Sequence, residues 1–210
     1  MVSLASRMSL ALLLASASSQ AGPLVEARAH AVEFDLSGAA TLLNAAAQRG
    51  DASARTAALY IRGLIDAREA SQQGDSPVSL APVREAIAAL DSIANGRPGS
   101  AEISRLTLQA AAAAAQSERE EMRLYLDTAI RMETLQRAAG MPGAPVIPAV
   151  EAAGDLWLQV HRYDEADRAY DEAAERGGPS LRTLAGRARA ARGLNNTSAA
   201  CPAFRAFLEA

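Results

Sequence analysis

Residues 150–180, VEAAGDLWLQVHRYDEADRAYDEAAERGGPS, hold two apolar-periodic stretches joined by a turn around His161. Ala166 and Tyr170 recur 34 residues later as Ala200 and Phe204. Gly154 recurs at the same distance as another small residue, Ala188, and the turn around His161 falls again at Asn195. A short helix pair cannot bury its apolar face alone. A fixed period of this length therefore reads as helical hairpins stacked on one another.

The packing logic is visible in the residue types. A glycine or alanine lets two helices approach closely, and an aromatic fills the gap to the next pair. The spacings Gly154-x2-Trp157 and Ala166-x3-Tyr170, the opening Tyr163-Asp164-Glu165-Ala166 and the Pro179-Ser180 ending resemble the tetratricopeptide repeat. Residues 147–180 resemble one repeat and residues 181–210 a weaker second. The resemblance implies an all-α fold, an α-solenoid of antiparallel helix pairs. Its concave groove would be lined by the first helix of each pair. The chain departs from the pattern in several places. Val150 and Leu184 stand where the repeat has its first tryptophan, Ala191 stands where Trp157 would recur, and Pro202 falls inside the last helix.

Working upstream, breakers divide residues 22–140 into further helical pieces, which would supply degenerate hairpins. Residues 32–48 and 54–70 are alanine-rich and near helical spacing. Val83, Ile87, Leu90 and Ala94 form one stripe at i, i+4, i+7 and i+11. Ser117 and Glu120 fit a capping box before the stripe Met122, Leu126, Ala129 and Ile130. Residues 141–148, MPGAPVIP, cannot be helical throughout, and read as a proline-rich hinge before the two repeats of 149–210.

Composition agrees. The chain has 210 residues, 50% hydrophobic and 21% charged, with alanine about a quarter of the total. Alanine favours helix and disfavours strand. The net charge is -3, which disfavours nucleic acid as a partner. Every cation is arginine. Residues 1–21 have the form of a cleavable export signal: Arg7, an apolar run over 8–15, then small residues up to Ala21. A bilayer span needs about twice that apolar length. The expected location is the periplasm or the exterior, with no membrane span after cleavage. Cys201 is the single cysteine, expected buried as a small apolar residue.

Chemistry is scarce. No zinc pair, phosphate loop, dinucleotide glycine fingerprint or nucleophile elbow occurs. No catalytic residue, cofactor or metal is therefore expected, and the chain is read as a non-enzyme. His30 is expected in a frayed N-terminal segment and His161 in a solvated turn. Thr197 or Ser198 would cap the last helix. The candidate binding residues lie on the first helices of the two repeats. Arg182, Arg189 and Arg192 share one face, and Glu151, Asp155 and Leu158 form the matching stripe. Arginine forks there could hold a carboxylate of a bound peptide. The expected function is a scaffold that binds another protein through this groove. Alternatives are a carrier of a small apolar ligand, with its cavity at the hinge, and a helical accessory domain of an enzyme complex. Phe204, Phe207 and Leu208 are a candidate self-association edge.

Overall fold

The computed structural model describes residues 22–33, 35–72, 80–141 and 143–196, together with 201, 202, 204 and 205. The export-signal segment 1–21, the caps Thr197 and Ser198, and Phe207 and Leu208 lie outside the described residues.

Among the described residues the fold is all helix, without strands. The helices are α1 (Pro23–Val32), α2 (Leu36–Gln48), α3 (Ala52–Gln72), α4 (Ala81–Ala94), α5 (Ser100–Ala115), α6 (Arg119–Ala138), α7 (Ala149–Gln159), α8 (Tyr163–Gly177) and α9 (Leu181–Gly193).

Local chemistry sets the boundaries. The helical pattern expected over 32–48 is broken at Asp35, whose carboxylate accepts from Gly38 N at 2.7 Å and starts α2 afresh. The residues before the break form α1, with proline in its first turn. His30, expected in a frayed segment, is therefore helical, and its Nδ1 lies 2.9 Å from Asp35 Oδ2. Asn95 ends α4 in the left-handed conformation, at φ 47°. The capping box expected at Ser117 does not form. Ser117 is itself left-handed, at φ 62°, and Glu118 is the capping position of α6. A capping box does occur one hairpin later, where Ser180 and Thr183 exchange hydrogen bonds at the start of α9.

Each helix packs on the next in sequence, and α1, α3, α5, α7 and α9 also touch the next odd-numbered helix. Burial differs sharply among them. α5 buries 10 of its 16 residues and α7 buries 7 of 11. By contrast α8 buries only Ala166, Ala169, Tyr170 and Ala173, and α4 only Val83, Ala86, Leu90 and Ala94. α5 and α7 are thus interior on several sides, and α4 and α8 cover the layer with single stripes, while α1 at the chain's start buries only Ala27 and Ala31. Small residues permit the closeness. Ala110 to Ala114 of α5 are all buried, and Leu108 of α5 sits where a side chain on Gly63 of α3 would go.

The aromatic logic of the repeat-like region is concrete. Tyr170 of α8 is fully buried. A Cβ on Gly154 of α7 would lie 2.6 Å from its ring, and one on Gly186 of α9 closer still. The ring therefore fills the space that two glycines leave between α7 and α9.

The stretch 141–148, read from sequence as a hinge, is held by side chains from three helices. Residues 145–148 are buried. Arg28 Nη1 donates to the Val146 carbonyl at 2.7 Å and the Tyr60 hydroxyl to the Ile147 carbonyl at 3.1 Å. Glu133 of α6 accepts from Ala149 N at 2.7 Å, and so caps α7 from another helix. Val146 and Ile147 belong to the hydrophobic core. They line none of the surface depressions described below. Cys201, expected buried, is exposed beyond α9, and Phe204 is 36% exposed. No described helix is long and apolar enough to cross a membrane.

Candidate functional site

Among the depressions of the described surface, three are distinguished by their charges. One of about 520 Å³ lies between α6, α7 and α8, over Trp157 and Ile130. Four arginines and four carboxylates line it, so it is balanced. One of about 460 Å³ lies over α5, between α4 and α6, with two arginines against three carboxylates. The third, about 650 Å³, is lined by five arginines, Arg68, Arg119, Arg182, Arg189 and Arg192, and by a single carboxylate, Asp155.

This arginine-lined depression lies where four helices end. Gln72 of α3, Ala115 of α5, Gln159 of α7 and Gly193 of α9 are the last residues of their helices, and all line it. α3, α5, α7 and α9 therefore point the same way. Their C-terminal partial charges make arginine locally favourable.

Five of the six residues expected to form a groove meet here: Asp155, Leu158, Arg182, Arg189 and Arg192. Their states differ. Arg189 and Arg192 are exposed. Arg182, expected to present a free fork, is only 5% exposed and is used by the fold. Its Nη1 donates to the Ala31 carbonyl of α1 at 3.0 Å, and its Nη2 pairs with Asp155 Oδ2. The other Asp155 oxygen accepts from the Tyr170 hydroxyl at 2.5 Å. Burial beside that carboxylate holds the Tyr170 phenol well above its usual pKa. Arg182 thus floors the depression and ties α9 to α7 and α1.

Glu151, the sixth residue, is buried a turn away and faces Arg28 of α1 at 3.4 Å. Burial raises its carboxyl pKa, with Arg28 and Arg182 opposing the rise and Asp155 and Glu133 adding to it. A carboxyl with a higher pKa folded than unfolded binds its proton more tightly in the folded chain. The stability it contributes is complete below its ordinary value of 4.5 and is lost as pH rises through the folded value. Glu151→Gln cannot ionise. Its urea-denaturation stability relative to wild type is expected to improve between about pH 4 and about pH 7. An unchanged difference across that range would show that the Glu151 charge carries no burial cost.

Arg68, Arg119 and Gln159 were not singled out from the sequence. Arg68 lies one turn before the end of α3 and Arg119 begins α6, in segments without the 34-residue spacing, so only the fold brings them to α9. Gln159 Nε2 is buried without a hydrogen-bond partner among the described residues. His161 is exposed at the depression's edge, at φ 58°, with Nδ1 3.0 Å from the Tyr163 hydroxyl. The buried acids Glu133 and Glu151 lie toward the other end of α7, which at Glu151 is about 15 Å along the helix axis from His161. No group of three metal-ligating side chains occurs among the described residues.

No family model matches the chain, and no curated protein and no solved structure matches it either.

Proposed function

We propose that this chain is an exported helical-repeat scaffold that binds an acidic segment of another protein and catalyses no reaction. Its architecture is a tetratricopeptide-like solenoid, in which the odd-numbered helices are the inner helix of each pair and the even-numbered helices the outer. Three features support that reading: the alternate-helix contacts, the common direction of α3, α5, α7 and α9, and the Tyr170 ring between Gly154 and Gly186. The form of residues 1–21 supports export.

One observation carries the binding function. In a chain of net charge -3, five arginines surround one carboxylate in a single depression. Like charges so gathered repel, and a bound anion relieves the repulsion. Arginine forks match carboxylate geometry and give orientation as well as attraction.

The test is fluorescence anisotropy with a labelled glutamate-rich peptide at low ionic strength. Arg68, Arg189 and Arg192 are exposed, and all three are replaced by glutamine, with far-UV circular dichroism as the check on the fold. Affinity is expected to fall at least about tenfold, equivalent to about 1.4 kcal/mol. It also weakens with added salt in the wild type. Equal affinity of the wild type and triple variant would refute the proposal.

A further inference from the structure

The first helix does not keep to its place in the stack. In an array of stacked hairpins each unit touches only its neighbours. α1 packs on α2 and α3, as its position in the chain requires, but it also reaches the far end of the array. Arg28 Nη1 donates to the Val146 carbonyl just before α7, and its Nη2 lies 3.4 Å from Glu151 Oε1 of α7. Arg182 of α9 donates to the Ala31 carbonyl at 3.0 Å. α1 thus meets α3, α7 and α9 at once and lies across them, instead of forming the first step of the array.

What α1 covers is polar and buried: the Glu151 carboxylate and the Arg182 guanidinium. The cover itself is slight. α1 has 10 residues, shorter than a helix that is stable alone in water. It buries only Ala27 and Ala31, one turn apart, which join the core beside residues of α2 and α3. Its larger apolar residues Leu24 and Val25 are exposed, and the Arg28 side chain is partly so. An element with so few buried apolar contacts opens at a lower cost than the rest of a fold. The contacts of α1 are those of a bound ligand. Two small side chains allow close approach, a cation meets a carboxylate and a carbonyl, and the carbonyl end of the helix meets an arginine.

We infer that α1 is an autoinhibitory latch, a reversibly docked internal ligand that closes the surface over α7 and α9 against a partner helix of its own chemistry. That partner is a short helix with small residues one turn apart, an arginine directly after the first, and a carbonyl end beside the second. The inference goes beyond the acidic-segment reading of the arginine-lined depression and does not depend on it.

Two measurements on the purified full chain test it. The first is amide hydrogen exchange read by mass spectrometry. In the wild type, protection of α1 is expected to be at least about tenfold lower than that of α7, because α1 opens while its neighbours stay folded. Equal protection of α1 and α7 would make α1 an integral part of the core and overturn the inference.

The second is fluorescence anisotropy with a labelled synthetic peptide of residues 22–35. A docked α1 competes at an effective concentration on the order of millimolar, so the wild type is expected to bind the peptide weakly. Arg28→Glu sets a carboxylate against Glu151 and the Val146 carbonyl. In that variant α1 is expected to lose its protection while α3, α7 and α9 keep theirs. The variant is expected to bind the wild-type peptide at least about tenfold tighter than the wild-type chain does, since its own α1 no longer competes. A peptide carrying Arg28→Glu is expected to lose that advantage. Three results would each sink the latch: α1 still protected in the variant, protection lost across α7 and α9 as well, or equal peptide affinity of the variant and wild-type chains. Equal binding of the two peptides to the variant would also contradict it, because the surface would then not read the arginine.

Discussion

Arg182→Ala is expected to lower the unfolding free energy by about 3–4 kcal/mol, the range for removing one partner of a buried ion pair. Arg182 is 5% exposed, and two of its contacts tie helices together. One is the Ala31 carbonyl, which ties α9 to α1, and the other is Asp155 of α7. Alanine leaves Asp155 with only the Tyr170 hydroxyl, in a partly buried place. It also removes the side-chain donor of the Ala31 carbonyl. The cost is thus mostly that of groups stranded without partners, not of lost attraction. Asp155→Asn in the same background should restore part of the loss, because an amide is cheaper to strand than a carboxylate. Urea denaturation of the four proteins of this cycle measures it. A loss below about 1 kcal/mol for Arg182→Ala, the range of exposed pairs, would mean that the pair is solvated in solution.

The second large effect reverses the sign of a general rule. Glycine to alanine inside a helix ordinarily stabilises by about 1 kcal/mol. Gly186→Ala is expected to destabilise by about 2–3 kcal/mol, the cost of overpacking a filled core. The new methyl would enter the Tyr170 ring, which is fully buried, packed on Gly154 from the other side, and held through its hydroxyl by Asp155. The ring has no direction in which to yield. In a Tyr170→Leu background the collision is relieved, and Gly186→Ala should regain most of its ordinary benefit. Thermal or urea denaturation of the double-mutant cycle gives the coupling directly. A stabilising Gly186→Ala in the wild-type background would contradict the close approach of α8 and α9.

The helical class could be read from the sequence because it follows from local causes: alanine content, apolar spacing and breakers. The region of α7 to α9 was legible in more detail, since Gly154, Ala166 and Tyr170 carry a spacing set by packing. Upstream, the inner helices begin at residues 52, 100, 149 and 181, spacings of 48, 49 and 32. The 21 residues of α3 and the 20 of α6 stretch the earlier spacings and erase the period. That is why Arg68 and Arg119 carried no sequence signal.

The site was legible as a helix face and not as a set of states. Spacing on α9 put Arg182, Arg189 and Arg192 together, and all three line the depression. Helical periodicity does not say which arginine is covered. That depends on α1, whose Ala31 is 151 residues away in the chain. The proline-rich stretch shows a related limit of local reading. Prolines exclude helix but do not imply mobility, and three distant side chains fix the backbone at 146, 147 and 149.

The most direct measurement is a peptide titration followed by amide chemical shifts in the isotope-labelled protein, with the glutamate-rich peptide as ligand. The account predicts that the largest shifts fall at the ends of α3, α5, α7 and α9, on Gln72, Ala115, Val160 and Gly193. Shifts concentrated instead around Trp157 and Ile130, in the balanced depression between α6 and α8, would contradict it.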